Sequence, residues 1–102
     1  MAEQAVIVEF EYGSNDLKPL LDVEALLISE VGSAGVGQFD GDEMAVDLSH
    51  GSFYLFGPDA NALFAAARPI LDAARCLRRV RAILRFGPPV AGVAERLVTL
   101  QP

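Results

Sequence analysis

Two stretches near opposite ends of the chain alternate with the same period and carry opposite charges. Ala5–Tyr12 reads AVIVEFEY, with Val6, Val8, Phe10 and Tyr12 on one face and Glu9 and Glu11 on the other. The segment 79–86 places Val80, Ala82, Leu84 and Phe86 on one face and Arg79, Arg81, Ile83 and Arg85 on the other. Period-two alternation marks strands that bury one face and expose the other. Set side by side in one sheet, these strands pair glutamates with arginines, and cross-strand pairs of opposite charge stabilise by ~0.2–1 kcal/mol each. That pairing explains a wider asymmetry. Residues 1–51 hold eleven acids and one base, whereas residues 52–102 hold seven arginines and three acids. No linker composition separates the halves, so they are expected to interleave in one domain spanning 1–102.

The rest of the order follows from punctuation and periodicity. The cluster Gly13-Ser14-Asn15-Asp16 is a turn, and Asp16 is expected to cap a helix running to about Val31. Leu17, Leu20, Leu21, Leu27, Ile28 and Val31 form its apolar positions, and Pro19 falls in its first turn, where a missing N–H costs little. A long strand over 36–47 is expected to bend or bulge at Gly41, and Ser49-His50-Gly51 to turn the chain back. Ser52–Phe56 is apolar on both faces and is expected to lie inside the sheet. Asp59 caps a second helix from Ala60 to about Cys76, which Pro69 is expected to kink or split. A short edge strand over 94–100 closes the chain, with Pro102 unable to extend it.

The order β-α-β-β-α-β with one extra strand predicts an α+β, ferredoxin-like plait. Its strands lie fourth-first-third-second in space, with both helices on one face. The uncovered face then carries Glu9, Glu11, Arg79, Arg81 and Arg85, with Tyr54 and Phe56 beyond.

Few residues carry chemistry. Asp40-Gly41-Asp42-Glu43 begins like a calcium loop, but the fifth, sixth and twelfth positions are Met44, Ala45 and Gly51, which fail the EF-hand pattern. One histidine (His50) and one cysteine (Cys76) exclude a disulfide within the chain and leave no assembled nucleophilic triad. Both are read as structural. The arginines at 75–85 and the octamer His50–Gly57 faintly echo RNA-binding patterns, but a net charge of −6 opposes a polyanion. No cofactor, nucleic acid or membrane is expected. The N-terminal stretch lacks the basic-then-apolar pattern of a secretory signal, and a cytoplasmic location is expected.

The segments Gly35–Glu43, Phe53–Ala60, Leu63-Phe64 and Pro69-Ile70-Leu71 together resemble a group of small bacterial α/β proteins. That group shares an approximate EFDGxE…LYxYGPDA…LF…PVL signature. The resemblance spans roughly 35–87 and departs at Gln38 and near Val46–Leu48. It implies a bacterial α/β plait and supplies no substrate or catalytic residue. A site shared by the group would map onto Asp40, Glu43 and Tyr54.

The expected function is a non-catalytic protein-interaction domain, homodimeric or covering another protein through the open sheet face or an edge strand. By size and acidity alone it is comparable to immunity proteins. The expected contact residues are Glu9, Glu11, Asp40, Glu43, Tyr54, Phe56, Arg81 and Arg85. A small-molecule-binding regulatory module is the alternative, followed by a small enzyme of plait type.

Overall fold

The computed structural model describes residues 3–100, so Pro102 lies outside the described residues. The chain is α+β: two helices pack against a five-stranded antiparallel sheet. The elements are β1 (Gln4–Tyr12), α1 (Lys18–Ala34), β2 (Gln38–Met44), β3 (His50–Gly57), α2 (Ala60–Ala73), β4 (Leu77–Arg85) and β5 (Glu95–Thr99). Spatial order is β2-β3-β1-β4-β5, so β1 is central and β2 and β5 are the edges.

The alternation read from the sequence sorts the strands' two faces. Val6, Val8, Phe10, Phe53, Leu55, Val80, Ala82 and Leu84 are buried and join Leu20, Leu27, Leu63 and Leu71 from the helices in one core. Phe53 anchors it, with its ring centroid 4.5 Å from that of Phe10 and 5.7 Å from that of Phe39. The interleaving expected of β1, β3 and β4 is present. Glu9 lies opposite Ser52 on one side and Arg81 on the other.

Several local expectations are corrected. Helix α1 starts one residue beyond Leu17, which is its N-cap and makes no side-chain cap bond. Asp16 still contributes, because its Oδ1 accepts the Lys18 N–H at 3.0 Å. The helix also runs past Val31 to Ala34 and ends at Gly35, whose φ of 68° suits a residue without Cβ. Its core stripe is Leu20, Val23, Leu27 and Val31. Leu21 and Ile28 are instead 55% and 57% exposed, since they lie a quarter turn from that stripe.

The β2–β3 turn comes earlier than expected. β2 ends at Met44, the turn occupies 45–49, and His50 opens β3 opposite Glu11. Asp47 fixes it by accepting from the Ser49 N–H at 3.0 Å, while Leu48 takes a φ of 62°. The expected irregularity at Gly41 is a bulge. The β2–β3 register shifts between Phe39 and Asp42, with Gly41 at φ 113°. Helix α2 is one continuous helix with Pro69 inside it, not two. Asp59 caps it by accepting from Asn61 N–H at 2.9 Å and Ala62 N–H at 3.3 Å.

A further bulge was not read from the sequence. On β1, Glu9 and Glu11 are two apart, but their β4 partners Arg81 and Arg78 are three apart. Arg79 is the extra residue, and its φ of 51° is a left-handed conformation that a branched or long side chain rarely adopts.

Candidate functional site

Register fixes what shares the uncovered face of the sheet, because directly paired residues point to the same side. One row across the strands is Glu43, Ser52, Glu9, Arg81 and Thr99. The next is Tyr54, Ile7, Ile83 and Leu97. The third is Gln38, Phe56, Ala5, Arg85 and Glu95. An apolar and aromatic row therefore crosses the sheet between two charged ones. It is half-buried at its centre and opens toward β5, where Leu97 is 59% exposed.

The charged groups are paired at one end of this face. Arg81 donates through Nε to Glu9 Oε1 at 2.7 Å, and its Nη2 lies 2.7 Å from the same oxygen. Arg79 Nε lies 3.5 Å from Glu11 Oε2. Alternation along β4 already sets Arg79 on the side of Arg81, and the bulge adds Arg78, which pairs opposite Glu11, to that side. Tyr54 donates its hydroxyl to Glu43 Oε1 at 3.1 Å, and burial, then this bond, raise the phenol above its ordinary pKa. The two ion pairs, Glu9 with Arg81 and Glu11 with Arg79, border an open cleft of about 580 Å³ that His50, Ser52 and Thr99 also line.

The expected contact residues are thus partly gathered. Glu9, Glu11, Arg81, Glu43 and Tyr54 lie toward the cleft end of the face, and Phe56 lies in the third row. Arg85 does not join the glutamates. It pairs with Ala5, four residues from Glu9 on β1, and its Nε donates to the Gly87 carbonyl at 2.8 Å. Asp40 sits exposed at the β2 bulge. His50, Ser52 and Thr99 enter the cleft only through the register. The signal for His50 is its place two residues before Ser52, in phase with the outward positions 52, 54 and 56 of β3.

His50 and Cys76 have ordinary surroundings. Ser49 Oγ donates to Asp47 Oδ1 at 2.6 Å and lies 2.9 Å from His50 Nδ1. The carboxylate thus faces the serine, whereas an orienting acid for a catalytic base would face the histidine. Desolvation raises the Cys76 thiol above its usual pKa, which keeps it in the unreactive thiol form. Among the described residues, no group of three His, Cys, Asp or Glu side chains could hold a metal ion. Among the same residues, no helix is long and apolar enough to cross a membrane.

One carboxyl pair lies away from this face. Glu24 on α1 meets Asp42 on β2, and its Oε2 is buried without a partner. Burial and the bond to Asp42 push Glu24 up to about 8.

No family model matches the chain, and no curated protein or solved structure matches it significantly.

Proposed function

We propose that the chain is a ferredoxin-like α/β plait that serves as a non-catalytic protein-interaction domain and self-associates through its uncovered sheet layer or an edge strand of that sheet. The observation that carries this reading is the row Tyr54-Ile7-Ile83-Leu97, which crosses a sheet face that neither helix covers. Apolar side chains aligned between charged rows form a contact surface with a fixed direction. The Glu9–Arg81 and Glu11–Arg79 pairs neutralise most of the charge beside it, which lowers the repulsion that a second copy meets there. A cytoplasmic location belongs to the same proposal. So does kinship with the small bacterial proteins, whose signature positions Asp40, Glu43 and Tyr54 lie on the neighbouring strands β2 and β3.

Sedimentation velocity over a wide range of concentrations tests it. A reversible monomer–dimer equilibrium is the expected result, and a chain that stays monomeric throughout refutes self-association. The mixed-charge cleft favours a second reading, a small-molecule-binding module. Co-purifying ligand, detected by mass spectrometry of the native protein, would favour it over the first.

A further inference from the structure

The two edges of the sheet are unlike. Edge strands expose unpaired backbone groups, and proteins blunt them with bulges, charges or proline. β2 is blunted in two ways: the Gly41 bulge interrupts it, and Asp40, Asp42 and Glu43 crowd it with negative charge. A second copy pairing there would bring acids against acids. β5 has no such bulge in its pairing with β4, and its five residues, ERLVT, include no proline or lysine.

The direction of β5's backbone groups follows from its ladder. The Leu100 N–H donates to the Val80 carbonyl at 2.8 Å, and the Phe86 N–H donates to the Ala94 carbonyl at 3.0 Å. In an antiparallel pair every second residue exchanges both bonds with its neighbour. Arg96 and Val98 therefore face β4, while Glu95, Leu97 and Thr99 direct their N–H and C=O groups outward. Their side chains lie on the uncovered face, opposite Arg85, Ile83 and Arg81.

We propose that a second copy pairs with this edge antiparallel, about a two-fold axis at Leu97, joining two five-stranded sheets into one. The proposal rests on the self-association reading above and names its interface. In this register Leu97 faces the partner's Leu97, and Glu95 faces the partner's Thr99. All three outward residues meet outward residues, so every bond of the new ladder has a donor and an acceptor. Moving the axis to Glu95 or Arg96 would oppose two like charges. With the axis at Leu97, the apolar rows meet end to end, Tyr54-Ile7-Ile83-Leu97 running on into the partner's Leu97 and Ile83. The charged row continues in alternation: Glu9, Arg81, Thr99, then the partner's Glu95 and Arg85. Three outward residues per copy make a short ladder, well below the ~1,200–2,000 Å² of a standard stable interface, so the dimer is reversible and concentration-dependent.

Leu97→Glu and Leu97→Lys test this, because the side chain is exposed and neither change touches the core. Each variant alone should dissociate at least ~10-fold more readily than the parent, since like charges face each other on the axis. An equimolar mixture should recover dimer, and that recovery also shows that both variants fold. If both variants dimerise like the parent, the edge pairing is wrong while self-association stands. Tyr54→Ala with Phe56→Ala then identifies face-to-face contact if it abolishes the dimer. If the parent is monomeric at every concentration, self-association fails and the edge pairing fails with it.

Discussion

Replacing Glu24 by glutamine should make the fold less sensitive to alkaline pH. Glu24 shares a hydrogen bond with Asp42, and burial of its carboxyl is the larger reason that its pKa rises from 4.5 to about 8. A group whose folded pKa exceeds its unfolded value stabilises fully below the unfolded pKa. That contribution is lost as pH rises through the folded one. Here the loss runs from about 4.5 to about 8. At the top of this window Glu24 becomes charged beside Asp42, with Oε2 buried and unpartnered. At 1.36 kcal/mol per unit the whole shift would amount to about 5 kcal/mol for a group sealed from water. Glu24 is only partly buried, and solvent screening reduces this to about 1–2 kcal/mol. Glutamine has nearly the same shape, carries no charge and donates to Asp42 at any pH. Urea unfolding of both proteins, followed by far-UV circular dichroism at about pH 5 and about pH 9, isolates the effect. Other titrating groups are common to both and cancel in the difference. The variant should gain about 1–2 kcal/mol on the parent between the two conditions. A difference that does not change with pH would refute the reasoning, as would a variant weaker than the parent at high pH.

Three further outcomes are expected. Gly37→Ala should destabilise by more than ~2 kcal/mol, measured by denaturant midpoint, from strain at its φ and overpacking. Gly37 has φ 146°, and a Cβ there would sit 2.1 Å from the Phe56 carbonyl oxygen. A double-mutant cycle on Glu9 and Arg81 should give a coupling of only ~0.2–1 kcal/mol, falling with added salt. The reason is exposure: the side chains are 37% and 56% accessible despite the 2.7 Å contact. Cys76 should react with a maleimide more slowly than a free thiol near neutral pH and match it only after unfolding, because burial holds its pKa up.

What the sequence disclosed was the part governed by periodicity. AVIVEFEY, the alternation of 79–85 and the Phe-Tyr-Leu-Phe run each fix an inside and an outside, and charge then places Glu9 beside Arg81. Conformation at single residues left weaker traces. The bulge at Arg79 follows Arg78, so an extra residue of the same type leaves the charge pattern looking continuous. Leu48 at positive φ moves the turn away from Ser49-His50-Gly51, although glycine is the commoner turn residue. Leu21 and Ile28 look like core in a list of helical apolar positions, and only the angular position of the sheet decides otherwise. Arg85 shares the alternation of Arg81, but the nearby Gly87 carbonyl captures it. Glu24 and Asp42 lie on different elements and meet only once α1 lies beside β2. Nothing in either local pattern marks a shared proton.

The left-handed backbone at Arg79 bears on how this position tolerates change. Glycine or asparagine adopts that conformation with less steric conflict than arginine does. Arginine there supplies a long cation that reaches Glu11. The backbone and the side chain thus favour different residues at one site. A library selected for thermal resistance alone should drift toward glycine or asparagine at 79. One selected to keep the contact with Glu11 should hold a base there, and the divergence of the two pools would measure how strongly that pair constrains this strand.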